Sequence, residues 1–240
     1  MGSTQRVLRF ARLTVLIDIS VPFASHIAVW PGDTPFSCGW TARREDGAAV
    51  NLGALATSAH AGTHADAPLH VDSGGAASES LPVQVFVGTV QVIALPDGVA
   101  ASTVIDRSLL EELLAPSWPD PTGAARTTAV MRVPRRLLCR TGFSVARGAF
   151  PDAWPVLDEA AAEWLAMRGL RLWGTDAPSV DARTSTTLPV HHTLFAHGAY
   201  VLENLALDGV ELGAYELLAQ PLAVHGADAA PVRALLRRRP

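Results

Sequence analysis

Residues 60–70 read His-Ala-Gly-Thr-His-Ala-Asp-Ala-Pro-Leu-His, and they constrain the chain more tightly than any other stretch. His60, His64, Asp66 and His70 stand at even offsets. An extended backbone would therefore set them on one face, with Ala61, Thr63, Ala65 and Ala67 on the other. A straight strand cannot gather them, because ten residues at the strand rise span roughly 33 Å. Gly62 and Pro68 are where the backbone can turn, one by tolerating unusual φ and the other by ending a ladder or helix. The expectation is a strand that runs into a tight loop and folds its polar groups onto a common centre. Imidazole and carboxylate together suit zinc or manganese. The plainer alternative is scattered surface histidines, or a core histidine with its hydrogen bonds satisfied. Only eight histidines occur in 240 residues, so three of them with an aspartate in eleven favour the metal.

Composition bounds the rest. The length suits one domain with a substantial core, and a net charge of -4 with a pI near 6.0 argues against a nucleic-acid partner. The two cysteines, Cys38 and Cys139, fit neither a disulfide framework nor a Cys-type zinc site, so a reducing cytoplasm is expected. The chain holds no lysine, which excludes Schiff-base chemistry. No Gly-x-Ser-x-Gly elbow occurs either, which argues against a serine hydrolase. Residues 1–12 are basic and are expected to form a loose extension ahead of a domain over 13–240. The apolar run that follows is too short to span a membrane, Asp18 interrupts it, and no signal-peptide cleavage site follows.

Periodicity predicts a first strand over Leu13–Ile19, a turn at Trp30-Pro31-Gly32-Asp33, and a strand over Val83–Leu95 bent near Gly88. Asp106 is placed to cap a helix through Leu114, with Leu109, Leu110, Leu113 and Leu114 on its buried side. Residues 116–127 read as loop and Ala129–Cys139 as a strand interrupted by proline. Leu157–Arg168 carries the clearest helical spacing, stopped by Gly169, and Leu170–Gly174 follows as a strand. Helix followed by strand suggests an α/β sandwich. Glu203 stands inside the apolar run Ala199–Leu207, where a carboxylate is costly unless cations pair with it. Upstream lie the adjacent His191 and His192; on a strand only one of the two would face the same centre.

The pattern His-x-Gly-Thr-His-x-Asp-Ala-Pro-x-His resembles the metal motif of the cyclase-like metal-dependent hydrolases, and within them that of the bacterial kynurenine formamidases. The resemblance runs from about Ile17 to Arg237 and includes both Tyr215–Leu222 and Asp228–Leu236. It implies a single compact domain with the β-rich swivelling β/β/α fold of that family. It makes His60, His64 and Asp66 metal ligands and His70 the acid/base. In the family a histidine twelve residues before a Leu-Glu-Asn glutamate also binds metal, which selects His191 ahead of His192 and pairs it with Glu203. Two zinc ions are implied, with Asp66 and Glu203 shared between them, and manganese is an alternative. Trp30, in a matching Trp-Pro-Gly-Asp element, becomes the residue that contacts the substrate's aromatic ring. Ala177 stands where the family more often carries threonine. The implied reaction is hydrolysis of N-formyl-L-kynurenine to L-kynurenine and formate through a metal-bound hydroxide, by a homodimer or larger assembly. Two alternatives are another hydrolase of the family, such as a manganese isatin hydrolase opening a cyclic amide, and a non-catalytic metal-binding protein. The second has no need of a free histidine beside its site. His26, His197 and His225 are read as surface or hydrogen-bonded residues.

Overall fold

The computed structural model describes residues 15–115 and 133–238. The expected extension over 1–12 and the expected loop over 116–127 lie outside these residues. Nine strands form one mixed sheet. In spatial order they are β1 (Leu16–Asp18), β13 (Leu235–Arg238), β11 (Gly213–Leu218), β5 (Val87–Ala94), β7 (Arg136–Arg140), β9 (Leu172–Thr175), β10 (Tyr200–Glu203), β4 (His64–Asp66) and β12 (Ala229–Pro231). The central run β5-β7-β9-β10 is parallel and the flanking pairs are antiparallel. Parallel neighbours need crossovers. Helix α2 (Glu159–Met167) lies between β7 and β9 in the chain, and α3 (Pro189–Ala196) between β9 and β10.

The parallel strands are buried on both faces, as this arrangement requires. Leu137, Cys139, Trp173 and Val201 pack with Leu110 and Leu114 of α1 (Arg107–Leu114), Leu165 of α2 and Leu194 of α3. Their chain neighbours Leu138, Leu172 and Leu202 point the other way, into a second cluster with Phe86, Leu217, Leu236 and Ile19. The sheet curls around this second cluster. Just past β1, the Ile19 N–H donates to the Ala234 carbonyl (3.0 Å), while the Ile19 carbonyl accepts from Ala206 N–H (2.8 Å), just past β10. A separate hairpin, β2 (Ser37–Ala42) with β3 (Leu52–Ala56), leaves Trp40, Leu52 and Leu55 exposed. The last two strands, β6 (Val104–Ile105) and β8 (Val156–Leu157), pair in parallel ahead of α1 and α2.

Asp106 caps α1 as expected, accepting from Leu109 N–H at 2.8 Å, although Leu109 and Leu113 are only partly buried. Other boundaries move. Leu157 belongs to β8, and α2 starts after its cap Asp158, whose carboxylate accepts from Ala161 N–H. Gly169, at φ 98°, stops that helix. Val83–Val85 is a 3-10 turn rather than strand, and the carbonyls of Gln84 and Val85 accept from the Arg136 guanidinium instead of a neighbouring strand. None of the described helices is long and apolar enough to cross a membrane.

Candidate active site

The 60–70 motif does fold as a turn, a short strand and a second turn. Gly62 takes φ 62°, and a Cβ there would come within 3.1 Å of Ile27 and of the Val21 carbonyl. Strand β4 then presents His64 and Asp66 on one face, and Glu203 of β10 stands directly across from His64. Pro68–His70 closes into a 3-10 turn that carries His70 back over the strand. Gly75 packs on that turn so closely that a Cβ would lie 2.5 Å from the Pro68 carbonyl carbon.

His191 arrives from elsewhere. The strand expected at His191-His192 is helix α3, opened by Leu188 at φ 45° and by Pro189. Successive helical residues are about 100° apart, so His191 is buried in the site while His192 is exposed. The Asp181 carboxylate fixes this arrangement. It accepts from the Val190 and His191 backbone N–H groups, both at 3.1 Å, and from His191 Nδ1–H at 2.7 Å. One buried acid thus caps the helix and orients its histidine.

All six residues singled out for metal or proton chemistry converge. His60 Nδ1 lies 3.1 Å from Asp66 Oδ1, His64 Nε2 lies 3.2 Å from the same oxygen, and His191 Nε2 lies 3.2 Å from Asp66 Oδ2. Glu203 reaches His191 at 3.5 Å and His64 at 3.6 Å, and accepts from Val180 N–H at 2.8 Å. His64 Nδ1–H donates to the Gly62 carbonyl (2.9 Å), which turns the lone pair of Nε2 toward the carboxylates. His60, His64 and Asp66 offer donor atoms within 4.8 Å of one another, and so do Asp66, His70 and His191. His70 is therefore as close to the centre as the residues expected to bind metal.

Acids and imidazoles crowded into this buried space shift one another strongly. Burial would raise the pKa of Asp66, but His64, His191 and His60 hold it well below the usual carboxylate range. Burial, with the Asp66 charge, raises Glu203 to about 8. For His60 burial works downward, yet the neighbouring Asp228 and Asp66 carboxylates raise it to about 10. His191 is likewise raised to about 10 against burial, by Asp181 and Asp66. His70 is the exception: burial keeps it below the ordinary imidazole value. The buried His64 Nε2 and Asp66 Oδ1 have no hydrogen-bond partner. They face each other across a centre of imidazole nitrogens and carboxylate oxygens. That donor set fits a borderline divalent ion such as zinc or manganese, which would satisfy both atoms.

His60, His64, His70 and Glu203 form the floor of a cavity of about 330 Å³, with Asp66 and His191 buried behind them. Trp30 and Phe150 line its wall, edge-to-face at 5.3 Å, and Trp154 supports Trp30 at 5.8 Å. The Trp154 indole N–H donates to the Asp181 carbonyl (3.1 Å), which ties the aromatic wall to the acid behind His191. Ala177 is buried, and its backbone, rather than a hydroxyl, bonds Thr175 and Asn204. His197 bonds the Thr193 carbonyl and His225 pairs with Glu79; His26 is exposed. Sequence reasoning missed Asp181, Asp228 and Phe150. Asp228 opens the stretch Asp228–Leu236 and Asp181 stands four residues beyond Ala177, but no local pattern marks what they touch.

Comparison with known proteins agrees with this site. The Cyclase family model ("Putative cyclase") matches residues 17–182. The chain is 41% identical over 221 residues to the kynurenine formamidase of Bacillus thuringiensis (strain Al Hakam), covering 92% of this chain and 96% of that one. It is 40% identical to that of Bacillus anthracis over the same shares. Among solved structures, "predicted metal-dependent hydrolase from Bacillus stearothermophilus" superposes with TM-score 0.72 at 27% identity, over 95% of this chain and 100% of that one. An isatin hydrolase bound to the product analogue thioisatinate shares the fold at TM-score 0.76 and 20% identity, over 94% and 92%. With its motif, its curled mixed sheet and these relatives in agreement, the chain belongs to the Cyclase family of metal-dependent hydrolases.

Proposed function

We propose that this chain is an arylformamidase that hydrolyses N-formyl-L-kynurenine to L-kynurenine and formate. The observation that carries the reading is one cavity holding three things together: a buried cluster of nitrogen and oxygen donors, a histidine of depressed pKa, and an aromatic wall. His60, His64, Asp66, His191 and Glu203 would hold two divalent ions, with Asp66 and Glu203 serving both. Zinc is favoured and manganese fits the same donors. Such ions supply Lewis acidity and lower the pKa of water toward neutrality.

The chain's own groups do the rest. Trp30 and Phe150 offer faces and edges against which an aryl ring packs, which orients the amide over the floor. A volume of about 330 Å³ lies near the lower end of small-molecule sites, roughly 300–1,000 Å³, and favours a small acyl group. Burial keeps His70 neutral near pH 7, so it can take a proton and return it to the leaving aniline nitrogen. A purely structural metal site has no use for such a histidine.

The reading extends to the surroundings. β2 and β3 carry no charged residue yet expose Trp40, Leu52 and Leu55, which supports self-association into a homodimer or larger assembly. Cys38 and Cys139 are both free thiols, in keeping with the cytoplasm. The test is turnover of N-formyl-L-kynurenine beside isatin, with metal content and solution mass measured on the same sample. Preferred opening of isatin would replace the substrate, and active protein with less than one equivalent of transition metal would remove the mechanism.

A further inference from the structure

One acidic side chain touches both halves of the motif without being part of it. Asp228 Oδ2 lies 2.9 Å from His60 Nε2 and 3.3 Å from His70 Nδ1. The two imidazoles stand 4.3 Å apart at 45°, so a single oxygen reaches both. The backbone holds this carboxylate in place. The Asp228 carbonyl accepts from Ala67 N–H at 2.9 Å, inside the motif itself. The flanking Ala227 carbonyl accepts from Ser78 N–H (2.8 Å), and Ala229 pairs with Asp66 in the β12–β4 ladder. An acid with 45% of its side chain exposed would ordinarily turn to water. Here it turns inward instead, to two rings.

We propose that Asp228 is a positioning residue that sets the ring orientation and tautomer of His60 and His70 together. A carboxylate only accepts, so each histidine must present N–H to it. On His60 that places the proton on Nε2 and leaves Nδ1, 3.1 Å from Asp66 Oδ1, as the nitrogen free to bind a cation. On His70 the proton sits on Nδ1, which leaves Nε2 as the base that meets substrate. Asp228 therefore couples the metal-holding and proton-moving histidines through one oxygen atom. The inference rests on the proposed roles of His60 and His70, but its metal-binding consequence does not depend on the substrate.

The experiment compares wild type, Asp228→Asn, Asp228→Glu, His70→Ala and the Asp228→Asn/His70→Ala double variant. It measures metal affinity against graded chelator, and kcat and KM on N-formyl-L-kynurenine. Asp228→Asn should keep the wild-type number of metal equivalents at saturation but bind them about 10–100-fold more weakly. Its kcat should fall by about 10²-fold or more with KM within a few-fold, and Asp228→Glu should recover part of both losses. In the His70→Ala background the asparagine should cost almost nothing more in kcat, because its target is already gone. Wild-type metal affinity in Asp228→Asn, or kcat losses that multiply in the double variant, would overturn the proposal. Loss of a whole metal equivalent at saturation would also overturn it, by making Asp228 a ligand. A wild type inactive on N-formyl-L-kynurenine would refute the proposed substrate alone, with the chelator titration still deciding the role of Asp228.

Discussion

Asp181→Asn isolates how the site is held from how it reacts. Asp181 has 3% of its surface exposed, and its two oxygens take three N–H donors, two from the α3 backbone and one from His191 Nδ1. Asparagine has the same shape but only one acceptor oxygen. If that oxygen stays with the Val190 N–H, the amide N–H₂ faces both the His191 backbone N–H and Nδ1, which strands the first and forces the second to accept, so the ring proton moves to Nε2 beside Asp66. If it keeps His191, a backbone donor at the start of α3 is left facing N–H₂. Loss of an orienting carboxylate behind a metal-binding histidine typically costs about 10–100-fold in metal affinity, or about 1.4–2.7 kcal/mol. Loss of the negative charge at the helix start costs about a further 0.5–1 kcal/mol of folding stability. Asp181→Ala strands all three donors and should cost about 3–5 kcal/mol. The assay is a chelator titration of each variant, with thermal melts of the metal-free proteins. If Asp181→Asn binds metal as tightly as wild type, Asp181 is only a helix cap and His191 does not need it.

His70→Ala should keep its metal and lose about 10²–10⁴ in kcat, whereas His64→Ala should lose metal and activity together; metal analysis beside kinetics separates them. Release of metal by His70→Ala would place it among the ligands. Trp30→Ala should weaken aryl formamides by about 1–3 kcal/mol in kcat/KM while leaving formamide itself nearly unchanged, and equal losses on both would deny the ring contact. In the metal-free protein, His60 and His191 have folded pKa values raised to about 10 from 6.5. Their stabilisation is thus full below about pH 6.5 and lost as pH rises through 10. Glu203, raised to about 8, acts in the same direction by resisting ionisation from its ordinary value of 4.5 upward. Melting temperature in chelator should fall from pH 7 to 10 and flatten on adding zinc or manganese; a rise over that range would contradict the charge assignments.

How much of this the sequence reveals depends on distance along the chain. The 60–70 motif was legible because its logic is local: even spacing, a glycine that permits φ 62°, and a proline that opens the turn carrying His70. Helix α1 was legible for the same reason, since Asp106 and Leu109 lie three residues apart. Helix α3 was not. Its eight residues follow a leucine, Leu188, whose side chain cannot cap them. The acid that satisfies its first N–H groups is Asp181, which lies nine and ten residues from the groups it bonds. A reading that seeks caps next to the helix finds none there and defaults to strand. Asp228 is farther still, 168 residues from His60 and 158 from His70. Only the β12–β4 pairing makes them neighbours.

The topology explains why these distant groups meet at this place. Glu203 ends β10, and the loop from Asp176 to Asp181 leaves β9, so both acids emerge where parallel strands stop and their crossover segments begin. Open parallel sheets gather ligand sites at such carboxyl ends, because the chain must leave the layer there. The antiparallel strand β4 adds next to β10 with His64 opposite Glu203. That single register sets one nitrogen donor, His64 Nε2, and the Asp66 carboxylate beside an acid already held by the parallel core. Shifting β4 by one residue would turn His64 and Asp66 to the opposite face and bring Thr63 and Ala65 in their place. The Val21 N–H donates to Thr63 Oγ1 at 2.8 Å, and Thr63 Oγ1–H donates to the Asn204 carbonyl at 2.6 Å. Thr63 thereby locks β4 on its far face. Thr63, between the histidines, is therefore not a mere spacer: it holds the register that turns His64 and Asp66 toward Glu203.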